Sequence, residues 1–138
     1  MDKTAIIIIG IILVVAGAFI WAVQSAPKVP AGTTPAVLPA GIVLFYGDGC
    51  PHCKNVDDFL AANNVSQKVK YTQLEVPFGL KTSSELQANA AAAILKAQNC
   101  GIDTSNGISI PFLWDGTSKC FTGDTDVISF FKEQAGIK

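Results

Sequence analysis

The sequence has no arginine, and its charge balance is nearly even. The 138 residues carry 10 lysines and 11 acidic residues, which gives a formal net charge of −1. Binding to nucleic-acid phosphates requires clustered cations, so this balance excludes a nucleic-acid binder. The chain also lacks internal repeats, and its length allows one domain of ordinary size. Regular apolar segments in the C-terminal part exclude intrinsic disorder there.

An uncharged apolar run occupies residues 5–23, behind a short N-terminal tail over residues 1–4. As a helix, 19 residues span about 28 Å, close to the bilayer core of about 30 Å. Trp21 near its end is typical of an interfacial anchor. The run therefore predicts a transmembrane helix, favoured over a secretory signal cleaved after Ser25 because signal cores are usually shorter. A buried core helix is the third interpretation.

A proline-rich linker follows over residues 24–39. Its four prolines preclude a helix and strand pairing, so an extended spacer is expected: Pro27, Pro30, Pro35 and Pro39. The linker would hold a domain of residues 40–138 away from a membrane surface. Both export interpretations place that domain outside the cytoplasm, periplasmic or extracellular, where disulfides persist.

The apolar periodicity of the remaining chain predicts an α/β domain. Strand patterns and helix patterns alternate, and Pro51 and Ser83 or Ser84 suit helix beginnings. The expected order is strand 41–46, helix 54–64 with Pro51 in its first turn, strand 69–76, helix 83–98, strand 108–114, strand 118–122 and helix 126–135.

The tetrad Cys50-Pro51-His52-Cys53 lies where the first strand gives way to the first helix. Unpaired N–H groups and the positive end of the helix dipole would favour a thiolate at Cys50. Cys53, one turn further on, would attack a mixed disulfide formed at Cys50. His52 would stabilise the thiolate further. A stable reduced form makes the disulfide a better oxidant, so the tetrad predicts an oxidising redox centre.

The tetrad, the Ile110-Pro111 dipeptide before a hairpin, and Gly123-Asp124 before the last helix together resemble the thioredoxin fold. The sequence is most similar to the glutaredoxin-like and DsbA-like branches, and the CPHC tetrad also resembles domains linked to vitamin K epoxide reductase homologues. The resemblance covers residues 40–138 and implies a four-stranded mixed sheet with flanking helices. It also implies thiol–disulfide exchange with protein thiols.

The same resemblance implies site residues beside the tetrad. In the family the proline matching Pro111 is cis and faces the disulfide, which leaves the Ile110 backbone free to pair with a substrate strand. Pro51 and these two residues are the expected substrate-binding positions, although Pro111 also suits an ordinary trans edge-strand proline.

Two positions depart from the family patterns. Gly47 stands where glutaredoxins commonly carry a glutathione-binding lysine, so dependence on glutathione is not expected. Leu44 stands where thioredoxins carry a buried proton-accepting aspartate. Asp48 is expected to oppose the Cys50 thiolate.

The other two cysteines admit three interpretations. Cys100 and Cys120 form a structural disulfide, remain separate buried thiols, or relay electrons to the tetrad. Counting back through a tight turn at Asp115-Gly116 places Cys120 opposite Pro111 or Phe112.

The favoured function is a membrane-anchored thiol–disulfide oxidoreductase with catalytic Cys50, Cys53 and His52. It requires no cofactor or metal, and a membrane redox partner is expected by analogy. The direction, oxidase or reductase, stays open. The alternatives are an adaptor that binds partners at the Pro111 edge and a zinc-binding protein, the latter disfavoured because no second closely spaced cysteine pair follows.

Overall fold

The computed structural model describes residues 40–138. The predicted tail, anchor and linker at residues 1–39 lie outside this range. Within it, no helix combines the length and apolar character needed to cross a membrane. The described residues form strands and α-helices in the order β1 (Ile42–Tyr46), α1 (Pro51–Ala62), β2 (Tyr71–Glu75), α2 (Ser84–Asn99), β3 (Phe112–Trp114), β4 (Cys120–Thr122) and α3 (Asp124–Ala135), with a 3₁₀ turn at Val65–Gln67 after α1.

The four strands build one mixed sheet in the order β2-β1-β3-β4. The β1–β2 pair is parallel, whereas β1–β3 and β3–β4 are antiparallel. An α/β domain with a four-stranded mixed sheet and flanking helices is therefore confirmed. The central position of β1 explains its fully apolar sequence, since both of its faces are covered.

Alternating side chains of the central strands divide the core between the two faces of the sheet. Leu44 and Leu113 point to one face and pack with apolar residues of α1 and α3. Val43, Phe45 and Phe112 point to the other face and pack with the alanines of α2. The sheet consequently holds α1 and α3 on one side and α2 on the other.

Helix beginnings follow the local sequence closely. The Ser83 hydroxyl accepts the N–H of Leu86 at 3.2 Å, which makes Ser83 the N-cap of α2. Pro51 occupies the first position of α1, as expected, so this helix starts three residues before the predicted 54–64 range. Asp124 and Asp126 lie in the first turn of α3, where acidic side chains suit the dipole.

The strand predictions were too long, and the hairpin register was wrong. β2 begins at Tyr71 and β3 at Phe112, so residues 69–70 and 108–111 lie outside the sheet strands. The β3–β4 loop spans five residues, from Asp115 to Lys119, instead of a two-residue turn. The Asp115 carboxylate accepts the N–H groups of Thr117, Ser118 and Lys119 at 2.8–3.0 Å, which widens the turn. As a result Cys120 pairs with Trp114 rather than with Pro111 or Phe112.

Candidate active site

Cys50 and Cys53 meet at the beginning of α1. Cys50 is the N-cap residue, and its Sγ accepts the N–H of Cys53 at 3.3 Å. The Cys53 thiol donates to the same sulfur, with the two Sγ atoms 2.6 Å apart. A disulfide bond requires about 2.05 Å, so the two sulfurs need to approach each other only slightly when an oxidant removes two electrons from the pair.

The loop before the tetrad is shaped by close packing at Gly47. A Cβ atom there would lie 2.6 Å from the Cβ of Phe78 and 2.7 Å from Cδ1 of Ile110. Both distances are too short, so a lysine at this position would displace the neighbouring segments. A lysine side chain at position 47 is therefore sterically disfavoured in this fold.

The two thiols differ in their surroundings. Both cysteines line a smaller cavity, but only Cys50 also borders the larger groove beside the tetrad. Desolvation by burial, reinforced by the contact with Cys50 Sγ, raises the pKa of Cys53 to about 12. Cys53 is therefore a neutral thiol near neutral pH. This suits a cysteine that resolves a mixed disulfide more than one that makes the first attack on a substrate.

The Ile110–Pro111 peptide bond is cis, and it lies beside Cys50. The Ile110 carbonyl oxygen is 4.0 Å from Cys50 Sγ, and Pro111 is fully buried behind it. The structure thus brings together the tetrad, Ile110 and Pro111, as the resemblance implies. The backbone carbonyl of Pro111 accepts the N–H of Gly123 at 2.9 Å, which ties this segment to the beginning of α3.

His52 pairs with an acid from α3. Its Nδ1 lies 3.1 Å from Asp124 Oδ2, and the Nδ2 of Asn55 donates to the same oxygen at 2.6 Å. These two contacts, the one from Asn55 first, lower the pKa of Asp124 to about 2. The expected role of His52 toward the Cys50 thiolate stays a prediction, because its described partner is Asp124.

Asp48 has a counter-ion that the sequence did not suggest. Lys81 lies 3.3 Å from Asp48 and also forms an ion pair with Glu75 at the end of β2. Lys81 belongs to a short turn closed by an isolated bridge between Phe78 and Lys81. The expected opposition of Asp48 to a Cys50 thiolate is thus reduced by a neighbouring cation.

A groove of about 710 Å³ opens beside Cys50. Its walls are mostly apolar and come from the turn after β2, from α2 and from the segment before Pro111; they include Pro77, Phe78, Ile94, Ile108 and Ile110. Residues 108–110 are not part of a strand. Sequence reasoning found the Ile110 side of this groove and missed the Phe78 side, because Phe78 lies 28 residues after Cys50 in an irregular segment.

Cys100 and Cys120 form a disulfide with a Cα–Cα distance of 6.1 Å. The prediction of a Cys100–Cys120 disulfide is therefore confirmed, and the interpretation as two separate thiols is wrong; a relay to the tetrad stays a prediction. Cys100 ends α2 and Cys120 begins β4, so the bridge fixes the end of a helix to an edge strand. Among residues 40–138, no group of three or more His, Cys, Asp or Glu side chains is placed to hold a metal ion.

Comparison with protein-family models, curated proteins and solved structures finds no match for this chain.

Proposed function

We propose that this protein is a thioredoxin-like thiol–disulfide oxidoreductase that uses the Cys50–Cys53 pair. The observation that carries the proposal is the meeting of three features. Two cysteine sulfurs lie 2.6 Å apart, the pair lies at the beginning of a helix, and the Ile110 carbonyl oxygen lies 4.0 Å from Cys50 Sγ. The strand and helix order, with a parallel β1–β2 pair inside a mixed sheet, is compatible with the thioredoxin fold.

The proposed reaction is a two-step exchange of disulfides. A substrate thiolate attacks Cys50 Sγ of the oxidised pair, the Cys50–Cys53 bond breaks, and Cys53 leaves and takes up a proton. In the second step another substrate thiolate attacks the substrate sulfur of the mixed disulfide and releases Cys50 as a thiolate. The protein is reduced by two electrons, and the substrate gains one disulfide. In the opposite direction the same steps reduce a substrate.

Two parts of the site support these roles. The dipole end and the free N–H groups of α1 stabilise negative charge at Cys50. The Ile110 backbone, beside Cys50 and outside any strand, is suited to pair with an extended substrate segment. Pro51, Ile110 and Pro111 are thus proposed for substrate binding, and His52 for tuning the thiolate.

The proposed location is a membrane surface outside the cytoplasm, with residues 5–23 as a single-pass anchor. The apolar run supports the anchor, and the Cys100–Cys120 disulfide supports the compartment, since structural disulfides persist in oxidising surroundings. The proposed substrates are protein thiols and disulfides, and the proposed electron partner is a membrane redox protein.

The test is oxidative refolding of a reduced, unfolded substrate protein by the full-length chain. We expect Cys50→Ser to abolish catalysis while the fold survives. Given a substrate that carries a disulfide, Cys53→Ser should accumulate a mixed disulfide, because the Cys50 thiolate attacks the substrate disulfide and no Cys53 thiol remains to resolve the product. A Cys100→Ser/Cys120→Ser double variant is the matched control and should retain catalysis. Refolding by Cys50→Ser at the wild-type rate would refute the proposal and favour an adaptor that binds through the Pro111 edge.

A further inference from the structure

The groove beside Cys50 has few charges, and they lie at one end. Its lining contains no lysine among the described residues, and besides Cys50 its ionisable side chains are His52 and Asp124. Most of the remaining wall is aliphatic or aromatic carbon. For a molecule that approaches Cys50 through this groove, the charged side chains that line its path are therefore those of the end formed by α1 and α3.

The Asp124 carboxylate is held firmly at that end. Oδ2 accepts from Asn55 at 2.6 Å and from His52 at 3.1 Å, both on α1, and Oδ1 accepts the N–H of Thr125 at 3.1 Å. The side chain of Asp124 is 23% exposed, so it remains accessible from the groove. By accepting from Thr125, the carboxylate also occupies an amide at the helix beginning that would otherwise attract an anion.

We propose that Asp124 determines substrate specificity, so that the groove favours uncharged and cationic thiols or disulfides over anionic ones of the same size. The inference rests on the proposed function, because it concerns the approach of substrates to Cys50.

The reaction that reports this selectivity is the oxidation of the reduced protein by a small disulfide. A Cys50 thiolate attacks one sulfur, forms a mixed disulfide and releases the other sulfur as a thiolate. Cys53 then attacks Cys50 and loses its proton, the Cys50–Cys53 bond forms, and the second thiol leaves. In water, a unit charge on the disulfide about 7 Å from the Asp124 carboxylate changes the rate of encounter about threefold. The rates for a cationic and an anionic disulfide therefore differ by about tenfold.

The experiment compares three disulfides of similar size with the full-length chain: cystamine, hydroxyethyl disulfide and dithiodiglycolate, which are cationic, neutral and anionic. Each rate is divided by the rate of the same disulfide with dithiothreitol, which removes intrinsic reactivity. We expect the normalised rates to fall in the order named, with about tenfold between the extremes. The spread should narrow when the Debye length falls from about 30 Å at 0.01 M salt to about 3 Å at 1 M.

The Asp124→Asn variant should lose most of this spread by raising the normalised rate of the anionic disulfide. Asp126→Asn is the matched control: it removes the same charge from the same helix turn, but Asp126 is exposed and borders a different cavity, beside Phe121 and Phe130. The salt titration needs no variant: a spread that persisted at about 1 M salt would not be electrostatic and would overturn the inference even if Asp124→Asn fails to fold.

Equal normalised rates for the three disulfides would overturn the inference, and so would an equal loss of the spread in Asp124→Asn and Asp126→Asn. Failure of the proposed function looks different, because the wild-type protein would then react with none of the disulfides faster than an ordinary cysteine peptide.

Discussion

The two cysteine pairs occupy contrasting parts of the fold. Cys50 and Cys53 lie three residues apart at the beginning of α1, between a groove and a cavity. Cys100 and Cys120 lie 20 residues apart and join the end of α2 to the edge strand β4. The first pair closes a very small loop and adjoins space for a substrate, whereas the second closes a long loop across two elements. The contrast supports the proposal that the first pair serves exchange, and it predicts that the second pair contributes mainly to stability.

The largest expected difference is in reduction potential. We expect the Cys50–Cys53 pair to titrate between about −120 and −270 mV, whereas structural disulfides typically lie below about −300 mV. Equilibration of the full-length chain in graded thiol buffers, followed by alkylation and mass measurement, gives both values. A value near the oxidising end would make the protein a disulfide donor, and one near about −270 mV a reductase. Coincident titration of the two pairs would contradict the comparison.

The next effect is a difference in thiol reactivity within the first pair. In the Cys50→Ser variant, with Cys100–Cys120 oxidised, we expect Cys53 to react with iodoacetamide at least about tenfold more slowly in the folded than in the unfolded protein. The thiolate is the reactive form, and burial, the largest cause of the raised pKa of Cys53, persists without Cys50. Rates measured across neutral to alkaline pH should still be rising above about pH 9. In Cys53→Ser, by contrast, Cys50 should be readily modified from the groove.

Stability should respond mainly to the second pair. The Cys100→Ser/Cys120→Ser variant should lose about 3 kcal/mol in the free energy of unfolding, because its bridge constrains a loop of about 20 residues in the unfolded chain. A Cys50→Ser/Cys53→Ser variant should lose less, because its loop is much smaller. Urea unfolding without reductant measures both. Equal losses of unfolding free energy in the two double variants would contradict the distinction between the pairs.

A smaller effect concerns the contacts beside the structural bridge. The Lys96 Nζ lies 3.6 Å from the centre of the Trp114 ring, which joins α2 to β3 near Cys120. Replacing Lys96 with methionine keeps the aliphatic stem and removes the cation, so we expect a loss of about 0.5–1 kcal/mol in unfolding free energy. Lys132→Met is the control, since its Nζ is 5.9 Å from the Phe59 ring and should contribute less.

The smallest expected effect is the pH dependence that Asp124, near the first pair, gives to the free energy of unfolding. The pKa of Asp124 is lowered to about 2, so its contribution is complete above the ordinary aspartate pKa of about 3.9 and is lost as the pH falls toward 2. Asp124→Asn should therefore flatten the acid limb of the stability curve, with its loss of stability present near neutrality and shrinking toward pH 2. Urea midpoints measured from neutral pH downward, with Asp126→Asn for comparison, give the difference.

The local sequence determined most of the secondary structure and the place of the first cysteine pair. A helix beginning at Pro51, the cap at Ser83 and the apolar β1 strand all follow from interactions within a few residues. Such interactions can be predicted without tertiary information, because the groups involved are neighbours in the chain. For the same reason the sequence alone assigns the Cys50–Cys53 pair to a helix beginning.

Only the tertiary structure decided the contacts between distant segments. His52 and Asp124 lie 72 residues apart, and Gly47 meets Phe78 across an irregular turn. The Cys100–Cys120 bridge and the register of Cys120 opposite Trp114 depend on a five-residue loop organised by the Asp115 carboxylate. These contacts arise from how the helices pack on the sheet, and no local pattern encodes a distance between segments that packing alone brings together.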